Sequence, residues 1–354
     1  MKDTMKACNL YAVGDLRYED VPLPKMESGE VLLQVKACGI CGSDIPRVFE
    51  KGTYHFPTIP GHEFAGVIVD TADREDKDLI GKRAAVFPLL PCGECDACQI
   101  GEYPQCRNYD YYGSRRDGAF AEYIAVKKWN LVFVPGGVPF EHAAMCEPCA
   151  VAIHALSQVG ITLGDTVAIF GAGTIGLMAA QIAAGWGAAQ VVLMDVDEAK
   201  LAFARQLGFT HAINSGQIDP AGYIMDITGN RGADVALEAA GVSAALEGCL
   251  KAVKVFGKVV LMGNPAKNMD LPQKSYWEIL RKQLTLRGTW NSSYNDAHND
   301  WRLAIQCMDR GVLQLDKFVT HRFSLSECNK AFGLARRREE FYVKIMFINE
   351  RQVL

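Results

Sequence analysis

Between residues 152 and 290 the chain alternates apolar strand-like segments with amphipathic helical segments. Among the features of the sequence, this alternation allows the fewest folds. Thr166–Phe170 and residues 191–194 are short and apolar, as expected of buried strands, and residues 175–186 between them have a helical pattern. Strands that alternate with helices in this way predict a parallel sheet of the doubly wound α/β type. We therefore expect residues 152–290 to form one such domain.

A glycine-rich turn follows the first of these strands and opens the helix: Gly171-Ala172-Gly173-Thr174-Ile175-Gly176. In this G-x-G-x-x-G pattern the first two glycines allow a tight turn and close approach of a pyrophosphate, and the third lets helix and strand pack closely. Asp195 ends the next strand, where a carboxylate accepts hydrogen bonds from a ribose and repels a 2′-phosphate. The pattern predicts a Rossmann domain that binds NAD rather than NADP. A turn without nucleotide, with Asp195 as a helix N-cap, is the alternative.

The segments on either side of this domain have a different pattern. Residues 1–151 contain short strand-like stretches, such as 31–35 and 66–69, which are separated by glycine and proline turns and predict a β-rich domain. Residues 291–354 mix helical and extended patterns, and we expect their last apolar run, at 342–347, to rejoin the first domain. Two domains also suit a chain of 354 residues.

Four cysteines lie close together in the β-rich part with the spacing C-x2-C-x2-C-x7-C: Cys92, Cys95, Cys98 and Cys106. One loop with this spacing can bring four thiolates to the corners of a tetrahedron, which is the closed ligand set of a structural zinc. Disulfides or unrelated loop cysteines are the alternative, but cysteines so close in sequence do not readily pair with each other. We therefore expect a structural Zn²⁺ here.

A second group of potential metal ligands is spread more widely along the chain: Cys41, His62 and Glu147. A thiolate, an imidazole and a carboxylate give three protein ligands and leave a position open, as in a catalytic zinc site. The spacing alone does not decide this, because His62 equally suits a core position and Glu147 suits the first turn of a helix.

The order of these motifs resembles that of the zinc-dependent medium-chain dehydrogenases over essentially the whole chain: Cys41-Gly42-Ser43-Asp44, Gly61-His62-Glu63-Phe64, the four cysteines, residues 117–123, Glu147-Pro148 and the glycine-rich turn. Glu147, in place of a third cysteine-type ligand, is similar to the polyol (sorbitol-like) branch of this family. Residues 41–49, 88–92 and 112–118 more specifically resemble dehydrogenases of a polyol phosphate.

The resemblance implies a GroES-like β-rich catalytic domain together with the Rossmann domain, and one catalytic and one structural Zn²⁺ per chain. Cys41, His62 and Glu147 would hold the catalytic zinc, and Glu63 would bind it directly or through a water. The four clustered cysteines would hold the structural zinc.

For the reaction, the resemblance implies that zinc acts as a Lewis acid toward a secondary alcohol, that Ser43 passes the alcohol proton outward, and that hydride goes to C4 of the nicotinamide. Asp44 would orient a zinc ligand, although a turn role is equally simple. Lys200 matches a lysine that lies near the adenosine ribose of the coenzyme in members of this family. Many members place a relay histidine where this chain has Pro46, so the proton would leave through water or another group. His55 is a candidate for this group only because it is nearby in sequence, and an ordinary turn role is simpler.

A phosphorylated substrate needs cationic side chains. In this family the segments that carry Arg47, Arg115 and Arg116 approach the substrate cleft, and arginine suits bidentate phosphate binding. Solvated surface charges are the alternative for these residues. Trp290 and Asn291 match the wall of the substrate pocket, and packing is the alternative for the tryptophan.

Composition and charge exclude some classes of binding partner and some cellular locations. A formal net charge of −4 and a pI near 6.0 argue against nucleic-acid binding. The N-terminal residues lack the apolar core of a signal peptide, and no apolar run suits a membrane span. Twelve cysteines in such a chain indicate reduced thiols in the cytoplasm. A homodimer is the default expectation, with a tetramer as the alternative.

These expectations combine into one function: hydride transfer from a secondary alcohol of a polyol phosphate to NAD. An unphosphorylated polyol of the sorbitol or iditol type, or another alditol phosphate, is the alternative substrate. A non-catalytic NAD-binding protein is a further alternative, but it would be expected to lack a zinc ligand, and Cys41, His62 and Glu147 are all present.

Overall fold

The structure is a computed structural model that describes residues 3–349 of the chain. These residues form two compact units, one made of residues 3–147 together with 293–349 and the other of residues 148–292. The chain therefore leaves the first unit and returns to it near its C-terminal end. The boundaries predicted after residues 151 and 290 remain predictions, and they lie close to these divisions.

The first unit is mainly β. Its strands are β1 (Thr4–Ala12), β2 (Asp15–Pro22), β3 (Glu30–Gly39), β4 (Glu63–Thr71), β5 (Arg83–Val86), β6 (Leu89–Leu90), β7 (Asp110–Tyr111), β8 (Tyr123–Lys127), β9 (Leu131–Phe133), β16 (Val319–Phe323) and β17 (Lys344–Ile348). Its helices are α1 (Asp44–Pro46), α2 (Asp96–Gln99), α3 (Phe140–Ala144), α10 (Asp300–Asp309) and α11 (Cys328–Arg337).

A seven-stranded sheet organises this unit in the order β16-β17-β3-β4-β5-β9, with β8 also paired to β3. Almost every residue of β3 is buried, because its valine- and leucine-rich sequence lies between neighbours on both edges. β17 comes from the end of the chain and pairs antiparallel with β3, with Met346 opposite Gly39. The rings of Phe120 and Phe347 pack 5.0 Å apart in the core beneath these strands. The pairing brings the start of β17 beside the end of β3, and the start of β4 lies at the other edge of β3.

The second unit alternates strands and helices. Its strands are β10 (Thr166–Phe170), β11 (Gln190–Asp195), β12 (Ala212–Asn214), β13 (Ala233–Glu238), β14 (Val253–Leu261) and β15 (Thr285–Gly288). Its helices are α4 (Cys146–Ser157), which begins at the division between the units, and α5 (Thr174–Gly185), α6 (Glu198–Gln206), α7 (Pro220–Ile227), α8 (Ser243–Ala252) and α9 (Gln273–Arg281).

All pairings in the sheet of the second unit are parallel, in the order β12-β11-β10-β13-β14-β15. The predicted doubly wound α/β fold is therefore confirmed. The strand order reverses between β10 and β13, and dinucleotides bind at such a point in this class of sheet. Among the helices of residues 3–349, none is long and apolar enough to cross a membrane.

Candidate active site and cofactor sites

The four clustered cysteines come together in one loop of the first unit. Their sulfur atoms all lie within 4.8 Å of one another: Cys92, Cys95, Cys98 and Cys106. The short helix α2 lies within the loop, and Gly93 turns the chain with a φ of +77°, which favours glycine. Four converging thiols fit the closed tetrahedral ligand set of a structural zinc.

Backbone N–H groups lower the pKa of two thiols in this loop, which favours cation binding. Hydrogen bonds from the backbone of Arg107 and Cys98 lower the pKa of the Cys95 thiol to about 6. Backbone hydrogen bonds from Glu94 and Cys95 also lower the pKa of Cys92, whereas burial raises the pKa of Cys98 to about 12. The backbone of the loop therefore lowers the pKa of two thiols before a metal binds, and Zn²⁺ binds thiolates.

The second group of potential ligands lies where β3 and β4 are side by side. Cys41 follows β3, His62 precedes β4, and the strands pair with Gly39 opposite Glu63. The ligand atoms of Cys41, His62 and Glu63 all lie within 4.8 Å of one another. Strand pairing, rather than proximity in sequence, therefore assembles this group.

Asp44 is a fully buried carboxylate that contacts two members of this group, Cys41 and His62. It accepts a hydrogen bond from the Cys41 backbone N–H at 2.9 Å, and its Oδ1 lies 3.5 Å from Nδ1 of His62. Burial alone would lower the pKa of His62, but the charge of Asp44 outweighs it and raises this pKa well above its usual value. A carboxylate on one ring nitrogen leaves the other nitrogen for a metal, as is common for ligating histidines.

Glu63 is held by a lysine that the sequence analysis did not identify. Lys344 Nζ donates to the two carboxylate oxygens of Glu63 at 2.9 and 2.6 Å. The side chains of Lys344 and Glu63 are only 5% and 2% exposed. Burial alone would lower the pKa of Lys344, but the charge of Glu63 raises it, so the ammonium group stays charged. A lysine inside the apolar run at 342–347 was the available signal, because a buried lysine needs a partner.

Glu147 lies in the first turn of α4, as the alternative of an acidic residue at a helix N-terminus also expects, and its side chain is buried. Burial raises its pKa to about 7, while His62 lowers this pKa and Glu63 raises it. Its carboxylate therefore interacts with both groups, although it lies outside the trio within 4.8 Å. Its role as a zinc ligand remains a prediction.

Tyr111 is a further neighbour of this group that the sequence analysis missed. Its ring centroid lies 5.8 Å from that of His62 in an edge contact. Burial, and then the charge of Glu147, raises the pKa of its phenol well above its usual value. The phenol therefore stays neutral and can act as a hydrogen-bond donor beside the potential ligands.

Ser43 is exposed directly beside Cys41, and its backbone N–H lies 3.5 Å from the Cys41 sulfur. An exposed hydroxyl at this position suits the predicted transfer of a proton to solvent. His55, in contrast, contacts the carbonyl group of Pro57 in its own loop at 3.1 Å and that of Arg115 in a neighbouring segment at 3.0 Å. These contacts favour the turn role for His55.

In the second unit the glycine-rich turn connects β10 to α5. Gly171 has a φ of +119°, and a Cβ there would lie 2.9 Å from the Ala239 carbonyl carbon. At Gly176 a Cβ would lie 1.9 Å from the Gly171 carbonyl oxygen, so only glycine fits. Gly173 caps α5, which begins at Thr174, and the first N–H groups of such a helix bind phosphates well.

Asp195 lies against this turn at the end of β11. Its carboxylate accepts hydrogen bonds from the backbone N–H groups of Ala172 at 2.9 Å and Asp197 at 3.0 Å, and Lys200 Nζ lies 3.2 Å away. The N-cap of α6 is Asp197, whose side chain accepts from the Ala199 N–H. The alternative in which Asp195 caps the helix is therefore wrong.

The arginines proposed for a phosphate have different surroundings. Arg47 forms a salt bridge with the buried Asp44 and is itself only 16% exposed, so its charge is already neutralised. Arg116 lies 3.6 Å from the carboxylate of Asp110 and is partly exposed.

Arg115 is held by aromatic rings instead. Its guanidinium carbon lies 4.1 Å from the ring centroid of Tyr109 and 4.5 Å from that of Tyr54. It also donates to the Tyr109 carbonyl at 2.9 Å. The ring of Tyr109 contacts Tyr111, which contacts His62. Arg115 is thus separated from His62 by two contacting rings.

Trp290 and Asn291 lie just after β15 in the second unit. Trp290 is 59% exposed, and Asn291 has a φ of +59°. Exposure of so large an indole argues against a role for Trp290 in packing its own unit, which was the alternative to a pocket wall.

Two family models match the chain. The model described as "Alcohol dehydrogenase GroES-like domain" matches residues 27–136, and the model described as "Zinc-binding dehydrogenase" matches residues 174–310. Together they cover parts of both units, including Cys41, His62 and the four-cysteine loop in the first match.

Curated relatives match over nearly their full lengths. Galactitol 1-phosphate 5-dehydrogenase of Escherichia coli (strain K12) is 35% identical over 320 residues, which covers 90% of this chain and 92% of that protein. Sorbitol dehydrogenase of Bacillus subtilis (strain 168) is 33% identical over 352 residues, which covers 98% of each chain.

Solved structures are similar throughout. Galactitol-1-phosphate dehydrogenase from Escherichia coli superposes with a TM-score of 0.91 at 33% identity and covers 98% of this chain and 100% of that one. A putative zinc-binding dehydrogenase from Sinorhizobium meliloti 1021 bound to NADP has a TM-score of 0.88 at 30% identity, with coverage of 98% and 100%. An alcohol dehydrogenase from E. coli CFT073 with NADH has a TM-score of 0.89 at 28% identity, with the same coverage.

The fold and the two family matches define a dehydrogenase of the zinc-binding type with a GroES-like domain and a Rossmann-type domain, and the two ligand clusters are compatible with zinc. Within that class, the chain belongs to the zinc-dependent medium-chain alcohol and polyol dehydrogenase family, as its sequence predicted.

Proposed function

We propose that this chain oxidises a secondary alcohol of a polyol phosphate, converting galactitol 1-phosphate to tagatose 6-phosphate with reduction of NAD. The observation that carries the phosphate assignment is the placement of Arg115, held by two tyrosines and separated from His62 by two contacting rings. The similarity to a galactitol 1-phosphate 5-dehydrogenase supports it.

In this proposal Cys41, His62 and Glu147 hold the catalytic zinc, and the four clustered cysteines hold the structural zinc. Bound at the first site, zinc supplies a Lewis acid that lowers the pKa of the substrate alcohol. Asp44 fixes the ring of His62 through its contact with Nδ1. The exposed hydroxyl of Ser43, beside Cys41, carries the alcohol proton to solvent.

The glycine-rich turn and α5 bind the pyrophosphate of the coenzyme, and NAD supplies the hydride acceptor. Asp195 lies against the turn, so its carboxylate binds the ribose hydroxyls and repels a 2′-phosphate. Lys200, 3.2 Å from Asp195, contacts the same part of the coenzyme. Because similar structures carry NADP or NADH, the preference for NAD rests on Asp195.

Electrostatics favour Arg115 over the other two arginines as the phosphate contact. Arg116 lines a cavity of about 680 Å³ whose wall also includes the acidic residues Glu19, Glu30 and Asp117, and these would repel a phosphate. Arg47 is neutralised by Asp44. Arg115 lies over two tyrosine rings and donates to the Tyr109 carbonyl and the Tyr54 hydroxyl, which fixes the guanidinium group. A guanidinium group has five N–H donors, so others can donate to phosphate oxygens.

The test is NAD reduction by the purified protein with galactitol 1-phosphate beside galactitol and sorbitol at matched concentrations. We expect a strong preference for the phosphate ester. Equal or better turnover of sorbitol would contradict the phosphate assignment and leave the dehydrogenase chemistry in place.

A second experiment tests whether Arg115 contacts the substrate phosphate. It compares Arg115→Gln with the matched control Arg116→Gln. Loss of a charged hydrogen bond is expected to raise the KM for galactitol 1-phosphate by about tenfold or more in Arg115→Gln. The KM for any unphosphorylated polyol that is turned over should not change, and Arg116→Gln should behave like the parent. Equal effects in both variants would reject Arg115 as the specific contact.

An unphosphorylated polyol of the sorbitol type is the second candidate. The observation in its favour is the sorbitol dehydrogenase that is 33% identical over 98% of the chain. A homodimer and a cytoplasmic location remain proposals from the sequence.

A further inference from the structure

Two consecutive tyrosines at the end of β7, Tyr111 and Tyr112, have different surroundings. Successive side chains of an extended chain point to opposite sides. Tyr112 is only 1% exposed, and its phenol oxygen accepts a hydrogen bond from the Lys127 backbone N–H at 3.1 Å. The ring of Tyr111 instead contacts His62. The phenol of Tyr112 therefore belongs to the core of the first unit, whereas Tyr111 faces the potential metal ligands.

The hydroxyl group of Tyr111 is open. Within residues 3–349 no hydrogen bond joins it to another residue. Its oxygen is also not among the fully buried side-chain atoms that lack a partner in this part of the chain, and the side chain is partly exposed. A phenol both donates and accepts hydrogen bonds, so this hydroxyl is available to a bound molecule.

Tyr111 lies between the proposed phosphate contact and the potential metal ligands. Its carbonyl oxygen accepts a hydrogen bond from the Arg115 backbone N–H at 3.0 Å, so one tight turn holds both residues. The ring of Tyr109 contacts Arg115 and Tyr111, and the ring of Tyr111 contacts His62. A polyol with its phosphate on Arg115 and its reacting carbon beside His62 therefore passes Tyr111.

The phenol suits a neutral hydroxyl group of the substrate. The ordinary pKa of a tyrosine is about 10, and burial and the charge of Glu147 raise the pKa of Tyr111 further. The phenol therefore keeps its proton. It pairs with an alcohol hydroxyl, which also donates and accepts, whereas the charged Arg115 pairs with a phosphate. The two side chains are thus suited to different parts of one substrate.

We propose that Tyr111 is a specificity residue whose phenol binds one of the substrate hydroxyl groups between the phosphate and the reacting carbon. It selects a polyol over a chain that lacks this hydroxyl, because such a chain would leave the phenol without a partner. This inference rests on the proposed function and names a residue that recognises the polyol part of its substrate.

The test measures kcat/KM for galactitol 1-phosphate and for three analogues, which lack the hydroxyl at C2, C3 or C4. For one analogue the parent is expected to lose about tenfold in kcat/KM, the scale of one hydrogen bond whose partner is left unpaired. Tyr111→Phe keeps the ring, so it should lose about tenfold with the intact substrate and nothing further with that analogue. The losses for the other two analogues should be the same in both proteins.

Tyr112→Phe is the matched control, because it removes the phenol of the neighbouring residue. Its melting temperature should fall, since the Lys127 N–H loses its acceptor, while its relative kcat/KM values for the four substrates should stay parental. Tyr111→Phe should melt like the parent, because the hydroxyl that it loses has no partner within residues 3–349.

An equal loss for all four substrates in Tyr111→Phe would overturn the proposal, because Tyr111 would then act on the reacting oxygen or through His62. A parent protein that is indifferent to all three hydroxyls would overturn it as well. Preference of the parent for sorbitol over galactitol 1-phosphate would instead reject the phosphate assignment of the proposed function. The same comparison with sorbitol and its deoxy analogues would then decide the role of Tyr111.

Discussion

The two ligand clusters of the first unit are assembled in different ways. The four-cysteine cluster takes all of its ligands from residues 92–106, so folding of one loop suffices to form it. The Cys41 cluster takes its members from the end of β3 and the start of β4, so it forms only when the sheet forms. The first cluster consists of sulfur ligands alone, whereas the second mixes sulfur, nitrogen and oxygen.

The surroundings of the two clusters differ as well. Backbone N–H groups compensate the thiolates of the four-cysteine loop. At the Cys41 cluster, buried ion pairs compensate the charges: Asp44 with Arg47 and Glu63 with Lys344. A closed, locally folded sulfur set suits a metal that stabilises structure, and a mixed set held by side-chain ion pairs suits a metal that carries chemistry. The comparison therefore predicts that substitutions at the two clusters separate stability from activity.

The largest effect is expected for Cys41→Ser. Loss of this thiolate should lower kcat/KM by about 10³-fold or more, because Lewis-acid catalysis contributes several kcal/mol to the reaction. The zinc content should fall by one ion per chain while the melting temperature changes little. Steady-state kinetics, metal analysis and thermal unfolding check this. Retention of more than about a tenth of the activity would break the assignment of chemistry to this cluster.

Cys95→Ser is the matched substitution in the other cluster. It should also remove one zinc per chain, but its main effect should be a loss of about 3 kcal/mol in unfolding free energy, because metal binding here is coupled to folding of the loop. Below the unfolding transition, turnover should fall by less than about tenfold. Abolished turnover with unchanged stability would contradict a structural role for the four-cysteine cluster.

Local features were predictable from the sequence. The cysteine spacing and the glycine-rich turn each occupy one short segment, and their geometry follows from residues that are neighbours in the chain. The parallel sheet followed from alternating strands and helices, because that alternation permits few arrangements. Asp195 was placed at the turn for the same reason, since it ends the strand next to β10.

Compensating charges were not predictable. Lys344 and Glu63 are 281 residues apart, and a lysine in an apolar strand signals a buried partner without identifying which of 41 acidic residues it is. Arg47 was expected near a phosphate, but the turn of helix at Asp44–Pro46 pairs it with Asp44. The Lys344 pair depends on the tertiary structure, which residue spacing alone does not encode, whereas the Arg47 pair is a local i,i+3 contact that the spacing permits once a helical turn forms there.

Asp44→Asn tests whether the two clusters differ in metal affinity because of the side chains around them. Loss of the charge beside His62 is expected to weaken metal binding at the Cys41 cluster by about 10- to 100-fold and to leave the four-cysteine cluster unaffected. Competitive titration with a chelator would resolve the two sites. Asp15→Asn is the control, because it removes an equal charge from a partly exposed pair with Arg17. Equal weakening at both clusters would contradict a local role for Asp44.

The smallest effect concerns pH and the metal-free protein. Burial raises the pKa of Glu147 from its ordinary 4.5 to about 7, so the folded protein keeps a proton that the unfolded chain releases in this range. The unfolding free energy should therefore decrease as pH rises from about 4.5 to about 7, by about 3 kcal/mol. Denaturant unfolding in the presence of a chelator measures this change. In Glu147→Gln this contribution should be absent, while the contribution of the cysteine loop is the same in both proteins. Parallel pH profiles for parent and variant would show that Glu147 is already ionised without metal. Zinc binding would then displace no proton from Glu147.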